Sequence, residues 1–179
     1  MRDACKLQPV AHRAVRDDGW RCTMPIMRLT MLATALLLAA CATSPSEHST
    51  VHALRLLPGQ DLRAELQRYV DAHGIEAGWI ASCAGSLTDF NLRFADQPNG
   101  STGHGHFEIV SLSGTLSTHG SHLHLAIADE QGRTIGGHLL DGCRIYTTAE
   151  IVLGASLTHV FVRERCGSTP WEELQVLTR

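Results

Sequence analysis

Apolar and polar residues alternate along most of the chain beyond residue 50, and one stretch keeps a helical rhythm instead. His52-Ala53-Leu54-Arg55-Leu56-Leu57 alternates briefly and stops at Pro58-Gly59, which predicts a strand followed by a turn. From Asp61 to His73, Leu62, Leu66, Tyr69 and Val70 recur at i, i+4, i+7 and i+8, the spacing that lines one face of a helix. Gly74 stands where a left-handed C-terminal cap is wanted, and Asp61 and Glu65 put negative charge at the helix start, where the dipole favours it. Beyond Gly74 the pattern predicts strands over 77–83, 87–94, 106–117, 122–127, 134–139, 144–153 and 159–165. The run from Asp96 to Gly105, polar throughout and with three glycines, reads as a flexible hairpin loop.

One early helix against a largely antiparallel sheet defines an α+β fold. A chain of 179 residues allows one domain with a real core and is short for two, so residues 51–179 are expected to form a single domain. Aromatic residues make up 5% of the chain, which leaves the core to Leu, Ile, Val and Ala.

The N-terminal 40 residues read as an address. Leu29 to Ala40, LTMLATALLLAA, is an apolar run preceded by Arg28 and closed by Leu38-Ala39-Ala40-Cys41. About a dozen residues cannot span a hydrocarbon core of ~30 Å as a helix. Small residues just before a cysteine resemble a bacterial lipoprotein signal, with Cys41 as the lipidated residue and a cell-envelope, membrane-anchored location as the consequence. Residues 41–50 are polar and unpatterned, as a tether should be. The polar stretch ahead of the apolar run is long for such a signal, so translation is expected to begin at Met24 or Met27. The mature chain then keeps Cys41, Cys83, Cys143 and Cys166; with Cys41 lipidated, the other three cannot all pair, and at least one thiol stays free.

Ten of the eleven histidines follow Cys41. His122 and His124 are two apart in HLHLAIA, so they leave one face of the strand while Leu123 and Leu125 occupy the other. Whether His138 joins them depends on the turn. If Glu130-Gln131-Gly132 is a three-residue loop with Gly132 left-handed, Asp129 pairs with Arg133 and His124 faces His138. A two-residue loop would put His138 opposite Leu123, on the wrong face. Gly132 favours the first register. Three imidazoles on one face suit a divalent ion such as zinc with an open coordination position, and the spacing also suits half-exposed strand histidines that hold no metal. Glu108 and Glu150 stand in otherwise apolar strands, where each could orient a histidine or act as a base, or else lie exposed at an edge. His104, His106, His119 and His159 read as loop or surface residues, and Cys143 as a buried thiol rather than a soft ligand.

From Cys41 onward nine basic residues face fifteen acidic ones, and no lysine remains. Duplex binding advertises itself as a Lys/Arg cluster, because phosphate neutralisation supplies most of the affinity; the sequence shows none, and nucleic acid is not an expected partner.

FEIVSLSGTLS at 107–117, HLHLAIADEQGRTIGGHLLDGC at 122–143 and TTAEIVLG at 147–154 resemble the plants-and-prokaryotes-conserved (PPC, or PCC) domain, over 52–177. The resemblance implies a compact subunit that assembles as a trimer, with a metal-associated histidine set matching His122, His124 and His138. Plant relatives join this domain to AT-hook segments that grip DNA, and no Arg-Gly-Arg hook core occurs here. The expectation is an exported trimeric module binding a divalent metal or a small ligand. The alternatives are an enzyme in which the metal activates water, with Glu108 or Glu150 as base, and a DNA-binding protein as the family is sometimes labelled.

Overall fold

A computed structural model describes residues 49–167 and 169–179. Cys41, the expected export signal and most of the expected tether lie outside the described residues. Strand β1 (Ser49–Leu56) leads to helix α1 (Leu62–Ala72), followed by β2 (Gly78–Arg93), β3 (Ser101–Ser117), β4 (Gly120–Ala128), β5 (Thr134–Leu139), β6 (Arg144–Ser156), β7 (His159–Glu164) and β8 (Glu173–Thr178). The first six strands form one antiparallel sheet in the order β1-β6-β2-β3-β4-β5, while β7 and β8 make a separate hairpin. This is the α+β architecture expected from the sequence.

The helix forms where its apolar spacing predicts and buries Leu62, Leu66 and Val70. Asp61 caps it: Oδ1 accepts from the Ala64 N–H at 3.1 Å, and Oδ2 accepts from the Gly142 N–H at 2.6 Å. The cap therefore satisfies a helix end and ties it to the turn before β6. Gly74, at φ +58°, ends the helix in the left-handed region that a Cβ would strain. Leu87, Leu92, Leu116, Leu123, Leu125, Ile127, Leu139, Ile145, Ile151 and Leu153 fill the core, as the shortage of aromatic residues requires.

Two expectations are corrected. The strands placed at 77–83 and 87–94 are one strand, β2, whose pairing with β6 shifts register at three points and with β3 at one. Gly85, between the two expected strands, marks close approach of backbones: a Cβ there would lie 2.2 Å from the Thr148 carbonyl oxygen. The loop expected over 96–105 closes by Gly100, and Ser101 to His104 pair with Leu92 to Asp89. Gly103 leaves room for the Phe90 ring, which a Cβ would meet at 2.3 Å.

The bulges let β2 bend far enough to change partner. Its length runs beside β6 as far as Asp89, and its last residues pair with β5 as Leu92↔Leu139 and Arg93↔His138. With β2–β3, β3–β4 and β4–β5 also paired, these four strands close on themselves. Hairpin β7–β8 docks at the end of β3, where the buried Ser117 hydroxyl donates to the Phe161 carbonyl at 2.8 Å and the Phe161 N–H donates to Glu76 O at 2.7 Å.

Candidate metal centre

The register of one hairpin builds the site. The Asp129 N–H donates to the Arg133 carbonyl at 3.0 Å, the Gly132 N–H to the Asp129 carbonyl at 2.9 Å, and Gly132 has φ +75°. Asp129 also clamps the turn with its side chain, accepting from the N–H groups of Gln131 and Arg133 at 2.9 Å each. This is the three-residue loop that Gly132 favours, and it sets His124 directly opposite His138. The one-residue alternation of β4 sends Leu123, Leu125 and Ile127 into the core and keeps both of its histidines on the other face.

His122, His124 and His138 each present a ligating nitrogen, and all three atoms lie within 4.8 Å of one another. The Nε2 atoms of His122 and His124 are 3.2 Å apart. Zinc bonds of ~2.05 Å at tetrahedral angles put ligand atoms roughly 3.4 Å apart, so this pair is already at binding separation. Burial, with help from His122 and Arg93, holds His138 down to about 4. Burial and the Arg163 guanidinium lower His122 as well. Both rings are therefore neutral near pH 7, the state that ligates. The Nδ1 atom of His138 is buried with no hydrogen-bond partner among the described residues. An orphaned ring nitrogen beside two other imidazoles fits a metal-binding role, since leaving it bare costs about 1–3 kcal/mol.

Around the histidines stand groups the sequence pattern did not single out. Arg93 flanks His138 from β2. From β7, Arg163 places Nη1 3.4 Å from His122 Nδ1 and donates through Nη2 to Thr115 Oγ1 at 2.9 Å. A cavity of about 540 Å³ opens beside His122 and His138, walled by these arginines with Arg165, Trp171, Glu172 and Glu173. A second, of about 280 Å³, reaches His124 and also meets Glu173. Strand β8 was not predicted, so Glu173 was missed, although ELQVLT carries a weak alternation that signals it. The absence of a Lys/Arg cluster in the sequence hid the three arginines, which are separated by up to 72 positions and meet only when β7 docks on β3.

The other candidates sit elsewhere. Glu108 is exposed and pairs with Ala128, four residues along β4 from His124, roughly 13 Å at ~3.3 Å per residue. Glu150 is exposed on β6 opposite Arg55. Neither lines the two cavities at the histidines. His104 bonds Asp89 at 2.7 Å, which with Thr88 holds the Asp89 carboxyl below its usual range. His106 stacks on Tyr146, and Cys143 is buried as a free thiol, as is half-buried Cys83.

The fold matches that of known proteins. The Plants and Prokaryotes Conserved (PCC) domain matches residues 43–156, and the chain belongs to that family. A hypothetical protein of known structure from Salmonella enterica is 41% identical, with a TM-score of 0.73 over 76% of this chain and 99% of that one. A metal-containing protein from Archaeoglobus fulgidus shares the fold at 23% identity, with a TM-score of 0.61 over 70% of this chain and 93% of that one. Among curated proteins, the Bifunctional protein GlmU of Synechococcus sp. (strain JA-3-3Ab) is 49% identical over 132 residues, 74% of this chain. The chain spans only 21% of that relative's length.

Proposed function

We propose that this PCC-domain protein is a divalent-metal-binding module whose ligands are His122, His124 and His138, with zinc the best-matched ion. The observation that carries the reading is the convergence of three ligating nitrogens within 4.8 Å, from two adjacent strands, beside a cavity that leaves a coordination position open. The metal-containing relative from Archaeoglobus fulgidus supports it. In this reading the domain works outside the cytoplasm, anchored through Cys41, and assembles as a trimer. Exposed Val51, Val110, Ile135 and Tyr146 offer apolar surface that a neighbouring subunit would cover. Metal content per chain, measured on full-length protein purified without a His tag, tests the centre. About one zinc per chain, lost in a folded His122→Ala/His124→Ala/His138→Ala variant, is the expected result; a metal-free wild type that resists reconstitution would refute it.

A second reading, a metal-dependent enzyme, draws on Glu173, the carboxylate that meets both cavities. It requires turnover of a small ester or amide that disappears on chelation and in Glu173→Gln; binding without turnover favours the module.

A further inference from the structure

Three arginines, Arg93, Arg163 and Arg165, meet in the 540 Å³ cavity beside the histidines and outnumber its two carboxylates, Glu172 and Glu173. Four arginines elsewhere pair with carboxylates, Arg63 with Asp141, Arg68 with Glu65, Arg133 with Asp129 and Arg179 with Glu76, while Arg55 and Arg144 donate to Thr148 and to the Gly59 carbonyl. Among the described residues, Arg93, Arg163 and Arg165 have no such ion pair. Glu172 and Glu173 share the cavity, yet neither reaches these guanidiniums, and Glu173 instead accepts from the Thr169 hydroxyl at 2.7 Å. Like charges gathered in one cavity repel one another, and an anion relieves that repulsion.

The three have different tasks. Arg163 is committed to His122 and Thr115. Arg93 lies over the Trp171 ring, 5.3 Å from its centroid, and Arg165 is exposed at the cavity wall, so both keep guanidinium donors for a guest. Trp171 is 61% exposed, a large apolar face held open next to a cation. The guanidinium fork matches the oxygens of carboxylate and phosphate, and an indole face accepts a flat apolar group. A volume of about 540 Å³ falls in the range of small-molecule sites, roughly 300–1,000 Å³.

From this geometry we infer that the cavity binds a small organic oxyanion, a carboxylate or phosphate ester with a flat apolar body. Arg93 and Arg165 hold its charged head, Arg163 helps to set the positive field, and Trp171 packs against its body. The inference rests on the proposed metal centre only for the added positive charge a metal would supply at His122 and His138.

Calorimetric titration of the full chain with benzoate, phenyl phosphate and inorganic phosphate tests it and separates the two head groups. An Arg93→Gln/Arg165→Gln variant, which leaves the three histidines intact, is expected to bind the aromatic probes at least about tenfold more weakly while it remains folded and still takes up zinc. Trp171→Ala is expected to weaken benzoate and phenyl phosphate and to leave inorganic phosphate alone. No heat from any probe at about 10 mM, or equal affinity in the wild type and the double arginine variant, overturns the inference. Titration before and after chelation keeps the two readings apart: arginine-dependent binding by metal-free chain supports the oxyanion pocket whether or not the histidines hold a metal.

Discussion

Arg93 and His138 are cross-strand partners at the point where β2 leaves β6 and takes up β5. That pairing closes the four strands and puts a guanidinium beside a half-buried imidazole. Burial first, then His122 and Arg93, keep His138 neutral at the place where the strands close.

His138 should therefore titrate far below a solvent-exposed histidine. In metal-free protein, the ring nitrogens followed by NMR are expected to show protonation near pH 4, compared with the ordinary 6.5. Because the folded value is depressed, the unfolded chain binds more protons between those limits. The stability contributed is present above pH 6.5 and is lost as the pH falls toward 4. A midpoint near 6.5 would mean that His138 is open to water.

Arg93→Gln removes a cation that would repel any ion at the histidines. Zinc affinity, measured by competition with a chelating dye, is expected to rise a few-fold, in proportion to a screened Coulomb term. Weaker zinc binding in a folded variant would show that Arg93 acts by positioning His138 instead.

The turn offers a separate test of register. Gly132→Ala forces a Cβ into the left-handed region at φ +75° and should cost about 1 kcal/mol in urea unfolding, with metal binding retained. Deleting Gly132 shortens the loop and should turn His138 away from His124, abolishing metal binding in a chain that still folds.

That register was legible in the sequence because two local signals agreed: a glycine at the one left-handed position and a strict two-residue alternation on β4. The helix was legible for the same reason, its apolar spacing and its acidic start being local, while the Asp61 cap shows only in the structure. Gly85 and Gly103 misled because their purpose lies across the sheet, in the room they leave for Thr148 and Phe90. Arg163 and Glu173 come to the histidines by docking of a distant hairpin, and no window of sequence contains that information. Glu108 was drawn in by its apolar neighbours, and the bulge at Val110, between Ile109↔Ile127 and Ser111↔Ala126, changes which side chains of that strand face solvent.

Burial also fixes the behaviour of the thiols. It pushes both Cys83 and Cys143 up to about 11, so thiolate is scarce at pH 8. Neither should react with a disulfide reagent at that pH in the native protein, and both should react once it is unfolded. Fast labelling of Cys143 in native protein would contradict the packing around Asn91, whose N–H donates to its sulfur at 3.3 Å.

Anomalous diffraction at the zinc edge, from crystals of the protein grown with equimolar zinc, locates the ion itself. One strong peak is expected, bonded to His122, His124 and His138 at about 2.0–2.1 Å. A peak at other residues, or none while the three rings remain as described, would show that the cluster is a set of strand histidines and not a metal centre.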